Sequence, residues 1–226
     1  MTPYYADDLV TIYHGDMRDV MPSLSPVDVV LTDPPFSVPL KYQAAAGNHP
    51  RSWGDLAVME PWAREVLTEI RRAVKVTGQT YVCCDGETYP VFYRAGYSLW
   101  PQSHLLVWYK PTGRRGRGWM HSYELVLHLR NPETEYEPGF RQDVVGIMPV
   151  RTLKREHPAE KPGSLWTFLL EGAVADGSVL DPFMGSGSAL IAARATGRKA
   201  IGIEIEERYC EIAAQRCAQE VLGLSA

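Results

Sequence analysis

Cysteine is scarce in this chain of 226 residues: only Cys83, Cys84, Cys210 and Cys217 occur. They show neither paired C-x-x-C spacing nor histidines at zinc-ligand distances, so neither a disulfide framework nor a metal site is expected. Long hydrophobic runs are missing too. No stretch approaches the roughly 18 apolar residues of a membrane span, and the first residues lack a basic segment followed by an apolar core. These absences point to a cytoplasmic protein with reduced thiols and no membrane partner. Excess charge of one sign is also lacking: 23 Lys and Arg stand against 27 Asp and Glu, a net charge of -4. Such a surface does not bind nucleic acid everywhere, though it leaves room for a local basic face. No internal repeat or low-complexity tract is found.

What is present is enough apolar material, 45% of the chain, for the core of one large α/β domain. Short β-branched or apolar runs read as strands at Leu9–Tyr13, Asp28–Thr32, Thr80–Cys84, Ser103–Tyr109, Tyr123–Leu129, Val179–Leu180 and Lys199–Ile205. Amphipathic stretches between them read as helices: Met17–Leu24, a crossover helix opened by Pro61 and ended by Gly78, Thr88–Ala95 closed by Gly96, Gly163–Val174, Ala189–Thr196 and Glu206–Leu222. The strands near 103–109 and 123–129 have no room for a helix between them, so they are expected as antiparallel neighbours at one side of a mostly parallel sheet. Residues 37–56 form a long loop rich in small and polar residues, and 131–156 lose periodicity and read as an insertion.

Chemistry concentrates at strand ends. Asp33-Pro34-Pro35-Phe36 follows the apolar run Val29-Val30-Leu31. Two adjacent prolines cannot donate to a sheet ladder, so the strand must stop and project these residues beyond the sheet edge, where open α/β folds place ligands. Taken alone, the four residues fit a plain Pro-Pro turn equally well. Asp16, after the first strand, is a second acid at a strand end, and it fits a turn residue equally well. A third unit runs from Val179 to Glu204: strand, Asp181-Pro182-Phe183-Met184-Gly185-Ser186-Gly187, helix, strand, acid. Its glycines let a ligand approach the backbone and its later acid can take ribose hydroxyls. A dinucleotide fingerprint would want glycine where Leu190 stands, which favours a nucleoside without phosphates and disfavours a nicotinamide-dependent oxidoreductase.

Four motifs in this order, Asp33-Pro34-Pro35-Phe36, Trp108-Tyr109-Lys110, His157-Pro158-Ala159-Glu160-Lys161-Pro162 and Asp181-Pro182-Phe183-Met184-Gly185-Ser186-Gly187, resemble the amino-methyltransferases of DNA in their permuted β-class arrangement. The match runs from about Ile12 to Arg216. The resemblance implies a Rossmann-like methyltransferase fold, a seven-stranded, mostly parallel sheet with an antiparallel hairpin and helices on both faces, in which the strands ending at Asp33 and Asp181 are neighbours. It implies S-adenosyl-L-methionine as cofactor, with Asp181, Pro182, Phe183, Gly185, Ser186 and Gly187 at the methionine pocket, Glu204 on the ribose, Asp16 by the adenine, and Lys161 and Pro162 closing over it. It implies double-stranded DNA as partner, with a catalytically inactive DNA-binding module as the rival reading.

The exocyclic amine of a base is a poor nucleophile because its lone pair is delocalised into the ring. The carboxylate of Asp33 and the carbonyl of Pro34, held outward by Pro35, can accept its two protons and aim the lone pair at the methyl donor. Phe36 can stack on the base, which must be flipped from the duplex. No metal is required. Adenine is the expected target, since the family's cytosine-N4 members often carry Ser where Asp33 stands. The basic residues Lys110, Arg114, Arg115 and Arg117 fit a phosphate-contacting loop, and Arg141, Arg151, Lys154 and Arg155 a short target-recognition segment within 131–156. So little surface for reading DNA implies either a short, relaxed site or a homodimer.

Overall fold

The run Val27–Thr32 forms β3 of the computed structural model, which describes residues 1–35, 56–114, 118–136, 139–150 and 160–223. Five of its six residues are buried, as a strand covered on both faces requires. Around it the elements follow as β1 (Tyr5–Ala6), β2 (Val10–His14), α1 (Met17–Val20), a 3₁₀ turn, β3, α2 (Leu56–Ala73), β4 (Val74–Cys84), α3 (Tyr89–Tyr97), β5 (Gln102–Arg114), β6 (His121–Arg130), β7 (Val144–Gly146), α4 (Gly163–Leu170), β8 (Val179–Asp181), α5 (Ser188–Ala195), β9 (Ala200–Glu204) and α6 (Glu207–Gly223).

The nine strands lie in the order β1-β2-β9-β8-β3-β4-β6-β5-β7. The seven expected strands are all there, and β1 and β7 extend the two edges. β3 and β8 pair in parallel, Val29 with Val179 and Val30 with Leu180, and the chain leaves them in opposite directions, through α2 to β4 and through α5 to β9. That makes their carboxyl ends the switch point at which an open α/β sheet forms a crevice. The hairpin β5–β6 is antiparallel, as expected, from Gln102–Arg130 to Tyr109–Tyr123.

One face of the sheet carries a core shared by α2 and α3, with Leu67, Ile70, Phe92 and Trp100. The other packs α4, α5 and α6, with Trp166, Leu170, Leu190 and Ala213. Alternation along β4 sends Cys84 to the first core and Cys83 to the second. All four cysteines are buried. Among the described residues no helix is long and apolar enough to cross a membrane.

Three punctuation residues behave differently from expectation. Pro61 lies inside α2, whose first residue is Leu56; a proline in the early turns of a helix removes one donor without breaking the later ladder. Gly78 does not end a helix. α2 passes directly into β4, and a Cβ on Gly78 would stand 2.6 Å from the Asp28 carbonyl oxygen, at the bulge where pairing steps from Val27–Val74 to Val29–Gln79. Gly96 is inside α3, where a Cβ would stand 3.0 Å from Leu129. In both places glycine permits close approach. The helix from Gly163 also stops early, at Leu170. Finally, the segment 131–156 holds β7, paired in parallel with β5 at Val107–Tyr109, so part of it belongs to the sheet edge.

Candidate active site

Because β3 and β8 are neighbours, Asp33 and Asp181 come to one edge. Asp181 is buried and accepts the Phe183 N–H at 3.1 Å. Burial pushes its carboxyl up to about 8, with the charges of Asp33 and Glu204 adding to the shift. Burial also raises Asp33, opposed by the ammonium of Lys161. Pro34 is buried and Pro35 half-buried behind it. Glu204, at the end of β9, accepts the N–H of Gly185 at 3.0 Å and of Glu206 at 2.8 Å, and burial raises it as well.

The turn after β8 requires its glycines. Gly185 has φ 50 and Gly187 φ 80, and a Cβ on Gly187 would meet that of Ala213 in α6 at 2.8 Å. Leu190 is buried against Gly202 of β9, where a Cβ would come within 2.7 Å of it. The strand glycine, not a helix glycine, therefore provides the close helix–sheet contact here. Arg216 of α6 ties the turn down: it donates to the Ser186 carbonyl at 3.0 Å, to Ser186 Oγ at 3.1 Å and to Glu160 at 2.9 Å. Phe183 packs beside Trp62, ring centroids 6.0 Å apart.

A line of alternating charge completes the site. Lys161 Nζ lies 2.6 Å from Asp33 Oδ2 and 3.3 Å from Glu124 Oε2, and Glu124 Oε1 binds Lys110. The Lys110 ammonium also sits 4.6 Å from the centroid of the Trp108 ring. Burial works against charge on Lys161, but Asp33 and Glu124 outweigh it and hold the ammonium protonated. Burial likewise works against Glu124, but Lys161 and Lys110 keep it below the usual carboxylate range. The other oxygen, Asp33 Oδ1, is buried and has no hydrogen-bond partner among the described residues. An acceptor in that state is open to a donor from outside the described residues.

The remaining expected residues distribute as follows. Asp16 caps α1 and holds Arg18 at 2.5 Å, and that hydrogen bond lowers its carboxyl. Pro162 caps α4 and is buried. Lys110 turns inward to Glu124 rather than outward. Arg141 is exposed near Gly172. Arg114 ends β5. Phe36, Arg115, Arg117, Arg151, Lys154 and Arg155 lie outside the described residues. Glu124 and Arg216 were not singled out by sequence reasoning. Their partners lie 14 to 56 positions away, so no local spacing could have found them.

Residues 27–215 match the N6/N4 family described as DNA methylase. The chain belongs to this family. The methylase is similar to the type II methyltransferase M.ScaI of Streptomyces caespitosus, 24% identical over 98% of this chain and 86% of the relative. It is also 24% identical to the DNA adenine methyltransferase YhdJ of Escherichia coli (strain K12), over 94% of this chain and 84% of that protein. Its fold superposes on the PvuII DNA methyltransferase (cytosine-N4-specific) with a TM-score of 0.75 at 16% identity, covering 94% of this chain and 87% of that one.

The methylase is thus an S-adenosylmethionine-dependent DNA amino-methyltransferase. Its residues fit that cofactor on physical grounds. The Gly185 N–H is already taken by Glu204, and the acids Asp33, Asp181 and Glu204 stand at the ends of adjacent strands, so a phosphate finds an unfavourable field. A cationic sulfonium finds the opposite. The cofactor supplies an electrophilic methyl group; the chain supplies the glycine turn, the acid at Glu204 and the acceptor at Asp33.

Proposed function

We propose that this methylase modifies the N6 amine of adenine in double-stranded DNA, with Asp33 Oδ1 and the Pro34 carbonyl accepting hydrogen bonds from its two N–H groups and Asp33 taking the one proton released as the nitrogen is methylated. The observation that carries this reading is the buried, unpartnered Oδ1 at the shared edge of β3 and β8. Held there by Lys161 through its other oxygen, Asp33 can localise the nitrogen lone pair and offset the positive charge that develops on it. Phe36 is assigned to stacking on the flipped base. Proximity does the rest: methyl and nitrogen must approach within about 3 to 3.5 Å, so the two loops must open on one crevice.

Adenine is preferred to cytosine because an ionisable carboxylate stands at position 33. The segment 131–156 is assigned to target recognition, and Arg114, Arg115 and Arg117 to phosphates. With so small a reading surface, recognition is short, or a second copy of the chain completes it. The enzyme works where the DNA is, in the cytoplasm. Digesting methylated DNA to nucleosides and weighing the product tests the base: N6-methyladenine is expected, and N4-methylcytosine as sole product overturns the assignment.

A further inference from the structure

Resting on the reading of Asp33 as proton acceptor, we infer that Lys110 and Glu124, on the β5–β6 hairpin, are positioning residues for the methyl transfer, acting on Asp33 through Lys161. Four side chains from four parts of the chain alternate in sign: Lys110, Glu124, Lys161, Asp33. Their summed charge is zero, and each is at most 23% exposed. Burying an unbalanced charge is costly, so the line is stable only as a whole.

Each link restricts the next. Lys161 has a carboxylate on each side, hydrogen-bonded to Asp33 and in ion-pair range of Glu124, so its ammonium is held between the two. That fixes which Asp33 oxygen is occupied, Oδ2, and leaves Oδ1 for the amine. Glu124 in turn needs Lys110; without it the line carries a net negative charge beside Asp33. Asp33 is also faced by Asp181 from β8 and by Cys83 and Cys84 from β4. Asp181 adds a negative charge when ionised, and the thiols stay neutral because burial raises them both. The lysines are therefore the cations that keep Asp33 ionised. Lys110 acts on it by charge from the far end of the line, and its ion pair with Glu124 assigns it to this line rather than to the phosphate-contacting set.

The test is single-turnover methyl transfer at saturating DNA and donor, measured across pH, with DNA affinity measured separately. Lys110→Met should move the acid limb of the rate profile upward by about one unit, roughly a tenfold loss on that limb, with DNA affinity unchanged. Lys110→Arg should restore most of the rate. Lys110→Met combined with Glu124→Gln, which makes the line neutral again, should return the limb toward its original position. A residue with a merely structural role would not show that return. If Lys110→Met leaves the limb in place and weakens DNA binding instead, Lys110 is a phosphate contact and the inference fails. Asp33→Asn separates the two levels: retained activity there sinks the reading of Asp33 itself, whereas an inactive Asp33→Asn with an unmoved Lys110→Met limb sinks only the role given to the line.

Discussion

Asp33 and Lys161 are 128 positions apart in the chain, yet their side chains meet at 2.6 Å. Lys161 belongs to a motif that family resemblance assigns to closure over the cofactor, and Asp33 to the one assigned to the base. One contact therefore joins the two halves of the reaction. Replacing Lys161 by Met should lower the methyl-transfer rate about 10²-fold or more, more than it weakens donor binding, because the buried carboxylate of Asp33 then protonates. Calorimetry with the donor alongside single-turnover rates would separate the two effects; equal losses in both would return Lys161 to the cofactor.

Asp181 makes stability depend on pH with a definite sign. Burial pushes its carboxyl up to about 8, so near neutral pH the folded protein holds a proton there that the unfolded chain has released. The stability Asp181 contributes therefore falls as pH rises from about 4 toward 8. Asp28 has the opposite sign: burial is outweighed by Lys75 and Ser178, its carboxyl is lowered, and its contribution is lost as pH falls. Asp181→Asn keeps an acceptor for the Phe183 N–H and removes the titration. In donor-free protein its melting temperature should decline less between pH 6 and 8 than the parent's. Parallel melting curves would show that Asp181 does not titrate there.

Arg216 should matter for the cofactor although it is far from the glycine turn in sequence. Arg216→Ala removes three hydrogen bonds that fix Ser186 and Glu160. Donor affinity should fall roughly tenfold, with little change in the transfer rate at saturation. A change confined to that rate would contradict this role.

Gly187→Ala places a Cβ where φ is 80 and the Ala213 Cβ is 2.8 Å away. A cost of about 1 to 3 kcal/mol is expected, readable as a lower denaturation midpoint with weakened donor binding. An unchanged midpoint would mean the turn relaxes freely.

The sheet was legible in the sequence because strands buried on both faces are short apolar runs, and because two prolines and a glycine turn mark their ends. The hairpin followed from the lack of room for a helix between its strands. Helix ends were less legible: Pro61 and Gly78 are strong local punctuation, but packing of α2 and the close approach of β4 to Asp28 decide the structure there. β7 has three residues and gains its strand character from β5 alone. At the site, Asp33, Asp181 and Glu204 were visible as acids at strand ends. Glu124 was not, because nothing in Tyr123–Leu129 distinguishes a glutamate facing two lysines from one facing water.

The central claim, that the Asp33 carboxylate accepts one N–H of the target amine, is tested most directly by rapid-quench methyl transfer with Asp33→Asn under conditions where donor and DNA are both bound. The account predicts a rate lower by about 10² to 10⁴-fold with donor affinity nearly unchanged. A rate within a few-fold of the parent's would contradict it.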